Sequence, residues 1–275
     1  MQGAVNKMKK KPIIKVESLV KKYRLGSANP FKRSNELLAV NNVSFNLNSG
    51  KILGVVGESG CGKSTLARMI SRLIEPTAGK IFFEDTDITN LKSNKLKSFR
   101  KDLQMIFQDP YASIDPRKRI IDIMTEPLRI YGIGDKKSQV EKANKMLEKV
   151  GLSSGYDRRF PHELSGGQCQ RVNIGRALML DPKVIICDEP VSALDVSIQA
   201  QVINLLLDLQ KQLNLTYIFI SHDLSVVRYF CDDVLVINSG KIVERGCAEK
   251  IYENPQNDYT KKLLSAIPGK KFGLI

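Results

Sequence analysis

Gly57-Glu58-Ser59-Gly60-Cys61-Gly62-Lys63-Ser64-Thr65 fits the pattern G-x-x-x-x-G-K-[ST] and decides how the rest of the chain is read. A short apolar run, Ile52-Leu53-Gly54-Val55-Val56, precedes it, and a helix-like run, Leu66-Ala67-Arg68-Met69-Ile70, follows it. Strand, glycine-rich loop and helix in that order are what a phosphate cradle needs. Glycines let the backbone turn its N–H groups inward onto phosphate oxygens at a helix start. Lys63 is placed to reach the terminal phosphates, and the Ser64 or Thr65 hydroxyl to ligate magnesium. The plain alternative, a Gly-rich turn with an incidental lysine, fits neither the full motif nor its flanks.

A second run, Val184-Ile185-Ile186-Cys187, ends in Asp188-Glu189. Four apolar residues followed by two carboxylates read as a central parallel strand whose tip meets the nucleotide. Asp188 would hold magnesium through its shell, as in other P-loop NTPases. Glu189, one residue on, stands where a carboxylate can polarise the attacking water. A third stretch, Leu164-Ser165-Gly166-Gly167-Gln168, follows Pro161-His162-Glu163 and precedes a helix-like segment from Arg171 to Leu180. Ser-Gly-Gly entering a helix is another anion-binding terminus, with free N–H groups, a hydroxyl and a positive dipole end. In a chain with one phosphate loop, a second phosphate grip makes sense only if it serves a different nucleotide.

With these motifs in order, the chain resembles the ATPase subunits of ABC transporters over roughly residues 13 to 268. Further marks of that family are Tyr23 before the loop, Gln108 in Ile106-Phe107-Gln108-Asp109-Pro110, Ser192-Ala193-Leu194-Asp195 after Glu189, and His222 in Ile220-Ser221-His222-Asp223. The resemblance implies an α/β fold: a P-loop NTPase core with a parallel sheet, an antiparallel β subdomain and a helical insert at about 110–180. One such domain would span 1–268, with a short oligopeptide-type extension at about 245–268 and a tail at 269–275. ATP and Mg2+ would be the ligands. Tyr23 would stack on adenine, and Gln108 would be the hinge residue that feels the γ-phosphate and joins Ser64 and Asp188 around the metal. Ser165, Gly166, Gly167 and Gln168 would clamp a partner's ATP, and Asp195 would carry communication across the dimer. Glu189, Lys63 and His222 would be the catalytic residues.

Only two histidines exist, His162 and His222. A histidine at a strand tip can hydrogen-bond a γ-phosphate and position water, which favours His222; His162 reads as structural.

Three segments resemble oligopeptide and dipeptide importers: Pro110-Tyr111-Ala112-Ser113-Ile114-Asp115-Pro116-Arg117, the stretch from Ser192 to Gln201, and the tail from Asn254-Pro255 through Tyr259 to Pro268. The tail departs at Asn257-Asp258, where the family usually has His-Pro, and lacks the iron–sulfur cysteines of some relatives. Nickel, metallophore and glutathione importers share much of the pattern. The resemblance implies four partner chains and a place: a second ATPase, homologous but different, two transmembrane permeases and an extracytoplasmic substrate-binding protein, with this chain peripheral on the cytoplasmic face of the inner membrane. The segment at 110–130, with apolar Ile114, Ile120, Ile121 and Leu128, is expected to receive a short permease helix.

Composition bounds the alternatives. A chain of 275 residues can bury about 75% of its unfolded surface and support a full core. The net charge of +14 admits nucleic acid or an anionic membrane surface, but no nucleic-acid motif accompanies it. Chromosome-type ABC ATPases need a long coiled coil between loop and signature, and only about a hundred residues separate Thr65 from Leu164, without sustained heptads. Translation-type members usually carry two cassettes. A regulatory pseudo-ATPase conflicts with intact Lys63, Asp188, Glu189 and His222. No stretch approaches the roughly 18 to 20 apolar residues of a membrane span, and the basic N-terminus, in which Met8 is a second possible start, has no apolar core after it and is not a signal peptide. Five scattered cysteines at 61, 169, 187, 231 and 247 suit reduced thiols. Cys187 reads as core, and Cys61, inside the phosphate loop, is expected to block ATP when alkylated.

Patterning adds the frame. Residues 13–47 mix short alternating β runs with a polar loop at 26–35. Val140, Ala143, Met146, Leu147 and Val150 mark one helical face, and Ile198, Val202, Leu205, Leu206, Leu209 and Leu213 another. Tyr217-Ile218-Phe219-Ile220 reads as a buried strand, Val234 to Val243 as a hairpin turning at Asn238-Ser239-Gly240, and the end as a short helical tail through Tyr259 and Leu264.

Overall fold

The computed structural model describes residues 11–25, 35–153 and 155–266. The basic N-terminus with Met8, residues 26–34 of the stretch expected as a polar loop, and residues from 267 onward, Pro268 included, lie outside the described residues. In chain order the elements are β1 (Pro12–Leu25), β2 (Asn35–Asn48), β3 (Ile52–Val56), α1 (Lys63–Ile70), β4 (Ala78–Phe83), β5 (Thr86–Asp87), α2 (Ser93–Asp102), β6 (Leu103–Ile106), α3 (Ile120–Tyr131) and α4 (Lys136–Lys149). They continue with α5 (Gly166–Leu178), β7 (Val184–Asp188), α6 (Val196–Leu213), β8 (Thr216–Ser221), α7 (Leu224–Phe230), β9 (Asp233–Asn238), β10 (Lys241–Cys247), α8 (Ala248–Glu253) and α9 (Asp258–Ser265).

The apolar runs around the motifs form the centre of a six-stranded sheet ordered β10-β9-β3-β8-β7-β6, parallel except for the β10 edge. Every residue of β3, β7 and β8 is buried, because both faces of the sheet are covered. Alternate side chains divide between two cores. Leu53, Val55, Val184, Ile186, Ile218 and Ile220 face α1 and the second sheet. Ile52, Val56, Ile185, Cys187, Tyr217 and Phe219 face the helices. That split is the period-2 geometry of a strand.

The second sheet, ordered β2-β1-β4-β5, is antiparallel throughout. Val43, Phe45 and Leu47 point inward while Ser44, Asn46 and Asn48 point out, the alternation of a sheet with one wet face. The β9–β10 hairpin turns through Ser239 (φ 48°) and Gly240 (φ 76°), a left-handed pair that matches strand twist.

Helices α3, α4 and α5 fill the region between β6 and β7. Ala143, Met146, Leu147 and Val150 are buried, and Val140 is half-buried. On α6 the buried residues are Val202, Ile203, Leu206 and Leu209; Leu205 is half-buried and Leu213 stays 38% exposed at the helix end, so the apolar stripe is shorter than its spacing predicts. Of the apolar side chains expected to line a permease groove at 110–130, Ile114, Ile120 and Leu128 are 6%, 0% and 1% exposed and the half-buried Ile121 packs on the same core, so these four hold the helical region together.

Candidate active site

Four neighbouring parallel strands, β3, β8, β7 and β6, end on one side of the sheet, and the loops that leave them carry the predicted site. Ligands of open α/β sheets bind at such carboxyl ends. The loop after β3 closes tightly over its surroundings. A Cβ on Gly57 would stand 2.2 Å from Ile237 O, and one on Gly62, at φ 109°, would stand 2.2 Å from Ala39 O. Only glycine fits either place. Gly62 then starts α1 with no side-chain cap and no acidic residue in the first turn, which leaves the N–H groups open to an anion.

Lys63 is 4% exposed, and its Nζ donates to Gly57 O (2.8 Å) and Glu58 O (2.9 Å), so the ammonium spans the loop it belongs to. Cys61 lies beneath, 8% exposed, its Sγ 3.9 Å from Lys63 Nζ. Burial raises the Cys61 thiol above its ordinary range despite the nearby ammonium. The thiol is packed under the loop, and its burial disfavours the nucleophilic thiolate.

Ser64 Oγ donates to Asp188 Oδ1 at 2.9 Å. Asp188 is 6% exposed, and burial raises its carboxyl above the ordinary value, opposed by the Ser64 hydrogen bond and the positive charges of Arg68 and Lys63. A buried carboxylate beside a hydroxyl is an all-oxygen pair suited to Mg2+, which takes one or two protein ligands and completes its shell with phosphate and water. Gln108 is not part of that pair. Its Nε2 donates instead to Glu189 Oε2 at 3.3 Å.

Glu189 leaves β7 with φ 50°, an uncommon left-handed backbone for a side chain of this size, stabilised by its N–H donating to Ile220 O at 3.0 Å. The turn brings Glu189 Oε2 to 3.1 Å from His222 Nδ1 as well as to Gln108. The Glu189 side chain is 16% exposed and that of His222 59%, a carboxylate recessed behind an open imidazole. A cleft of about 290 Å³ is lined by Lys63, Ser64, Gln108 and Glu189 together with Tyr23, Leu37, Ser59, Gly60 and Thr65. Tyr23 is 37% exposed, with Lys21 Nζ 5.2 Å from its ring centroid. His162 sits elsewhere, stacked on Phe160 at 5.7 Å.

The Ser-Gly-Gly motif does not line this cleft. Ser165 caps α5: its Oγ accepts from Gln168 N (3.3 Å), while Gln168 Oε1 accepts from Ser165 N (3.0 Å). Gln168 Nε2 donates to Tyr156 OH at 2.9 Å. A Cβ on Gly167 would come within 2.5 Å of Ile198 Cγ2, and one on Gly166 within 3.3 Å of Leu194 Cδ2. The glycines thus let the start of α5 pack against the start of α6, and Ser165 stays exposed at the surface. Asp195, also exposed, precedes α6. The sequence reading missed the Ala39 carbonyl that requires Gly62 and the Leu37 wall beside Tyr23. Both lie on β2, far along the chain, and carry no local signal.

Residues 40–192 match the ABC transporter family. The chain is 52% identical over 251 residues to the oligopeptide transport ATP-binding protein AppF of Bacillus subtilis, a match covering 90% of this chain and 76% of that protein. It is 49% identical over 249 residues to the dipeptide transport ATP-binding protein DppF of Haemophilus influenzae, with the same coverage of 90% and 76%. Among solved structures, a dimeric ATP-binding cassette in a post-hydrolysis state, bound to ADP and Pi, superposes with a TM-score of 0.76 at 27% identity over 86% of this chain and 98% of that one. The cbiO1 protein of Clostridium perfringens, part of an ABC transporter complex, superposes with a TM-score of 0.77 at 26% identity over 89% and 92%. Shared sequence over nine-tenths of its length, with the phosphate loop, the capped Ser-Gly-Gly helix and the Asp-Glu pair all inside the family match, makes the chain a member of the ABC transporter family, one of its ATP-hydrolysing cassettes.

Proposed function

We propose that the chain couples ATP binding and hydrolysis to the uptake of short peptides. The observation that carries this reading is the near-half identity to two ATPases named for oligopeptide and dipeptide transport. The peptide itself would never touch this chain. It would be delivered by an extracytoplasmic binding protein to two permeases, with this subunit peripheral on their cytoplasmic side. Among the described residues no helix is long and apolar enough to cross a membrane.

In this reading ATP enters the cleft with adenine against Tyr23 and its phosphates on the N–H groups of 59–65, the Glu58 N–H being held by Tyr259. Lys63 leaves the Gly57 and Glu58 carbonyls for phosphate oxygens and offsets the charge that develops in phosphoryl transfer. The Ser64–Asp188 pair would hold Mg2+, which when bound supplies Lewis-acid charge stabilisation. Glu189 takes the proton of the attacking water, His222 orients that water and the γ-phosphate, and Gln108 links the base to the helical region through its strand-end loop. Ser165, Gly166, Gly167 and Gln168 serve the nucleotide of a second, homologous ATPase, with Asp195 beside that boundary. Support comes from the exposure of Ser165 away from the chain's own cleft and from the dimeric state of the ADP-bound neighbour. ATP thus closes the pair, and loss of the γ-phosphate opens it.

A permease helix would enter a largely apolar groove of about 310 Å³, lined by Leu73, Met105, Phe107, Pro127, Ile130 and Tyr131, rather than the buried face of α3. Ile130 is 59% exposed there and Leu73 48%. Deleting the gene tests the cargo. Uptake of labelled di- to pentapeptides should cease and resistance to toxic peptide analogues appear; retained peptide uptake with lost nickel or metallophore uptake would replace the peptide reading.

A further inference from the structure

The C-terminal segment touches the phosphate loop. Tyr259, on α9, accepts the N–H of Glu58 through its hydroxyl oxygen at 3.0 Å. The Gly57–Glu58 peptide is gripped at its other end too, where Gly57 O accepts from Lys63 Nζ at 2.8 Å. One peptide unit at the entry of the loop is therefore fixed from both sides.

The segment that carries Tyr259 is itself anchored. Glu244 on β10 accepts from the N–H groups of Gln256 (2.7 Å) and Asn257 (3.1 Å). Asn257 caps α9 by accepting Tyr259 N at 2.9 Å, and Thr260 and Leu264 are buried at 1% and 0% exposure. The β9–β10 hairpin that bears Glu244 also frames the loop directly: Gly240 N donates to Cys61 O at 2.9 Å, and Ile237 O occupies the space beside Gly57. Strap and loop share one rigid support. Burial raises the Tyr259 phenol above its ordinary value, so the hydroxyl stays neutral and able to accept.

We propose that Tyr259 is a positioning residue for the phosphate loop, its hydroxyl delivered by a C-terminal strap pinned on Glu244. The inference rests on the reading that this loop takes the phosphates of ATP. When Lys63 leaves Gly57 O and Glu58 O to meet those phosphates, the Gly57–Glu58 peptide loses its internal tie. The Tyr259 bond, which the nucleotide does not displace, then keeps the loop N–H groups in place. A loop already ordered costs less to order on binding. Tyr259 lies well beyond residue 192, where the family match ends, so the strap is a feature of this chain's C-terminal extension rather than of the matched cassette segment.

The test compares wild type with Tyr259→Phe, which keeps the ring and removes the acceptor, and with Glu244→Ala, which releases the strap, all in the full chain assembled with its partners. Tyr259→Phe should raise the KM for ATP about 2- to 10-fold, the span of one neutral hydrogen bond, with kcat unchanged and the nucleotide-free Tm within about 2 °C, a shift small for a chain of this size. Glu244→Ala should raise KM by a similar factor, and the double variant should be no worse than Glu244→Ala alone. An unchanged KM in Tyr259→Phe, or a change confined to Tm, overturns the positioning role; additive effects in the double variant overturn the strap. Direct ATP binding by wild type, followed by fluorescence in the same series, separates this from the underlying reading, which fails if wild type binds no ATP.

Discussion

His222 Nδ1 stands 3.1 Å from Glu189 Oε2, at the ends of two adjacent parallel strands, β8 and β7. A recessed carboxylate beside an open imidazole suits a base and a group that holds the water in line for it. His222→Ala should lower ATP turnover by about 10²-fold, the cost of a misplaced reacting group, with ATP affinity changed far less. Phosphate release and nucleotide binding, measured side by side, check this. Normal turnover would remove His222 from the site.

Asp188 gives a pH prediction with a definite sign. Burial raises its carboxyl above the ordinary 3.8. Between the unfolded and folded values the native state binds more protons, so stability falls as pH rises through that window and the penalty is complete above it. Asp188→Asn should therefore raise the Tm of the nucleotide-free protein at neutral pH, while the two proteins converge below about pH 4, where both side chains are uncharged. Hydrolysis should be lost. Calorimetry at both pH values checks the sign, and a lower Tm for Asp188→Asn at neutral pH would contradict it.

Substitution can separate the capping role of Ser165 from its proposed clamp role. As the cap of α5 it contributes about 1 kcal/mol that Ser165→Ala removes, whereas Ser165→Gly costs only a few tenths. Ser165→Gly should thus keep a near-native Tm yet lose ATP-driven pairing with a second cassette, read by light scattering. Pairing retained in Ser165→Gly would confine the hydroxyl to capping.

The groove between α3, β6 and α5 should be the permease contact. Cysteines at Leu73, Ile130 or Tyr131 should cross-link to permease loops, and a cysteine at the wholly buried Ile120 should not. Cross-links absent from all three groove positions would relocate the interface.

Much of this was legible because it is local. Gly57 to Thr65, Asp188-Glu189 and Ser165-Gly166-Gly167 are contiguous, each at the end of a strand or the start of a helix. Apolar runs gave β3, β7 and β8, since a parallel strand covered on both faces needs no alternation. What failed was distant packing. Helical periodicity says that Ile114, Ile120 and Leu128 need a covering surface, but not that the protein itself supplies it. The position of Cys61 in the loop did not say that its thiol turns inward beneath Lys63. The contacts of Gly62 with Ala39 and of Glu58 with Tyr259 join residues remote in sequence, which a reading along one chain cannot pair.

The central claim is that Glu189, gathered by His222 and Gln108, activates water for ATP hydrolysis. Single-turnover hydrolysis by Glu189→Gln, in the chain assembled with its partners and with ATP affinity measured in parallel, tests it most directly. The account predicts a rate lower by about 10²- to 10⁴-fold, the usual general-base contribution, with ATP binding retained. Hydrolysis at the wild-type rate, with ATP bound as before, would contradict it.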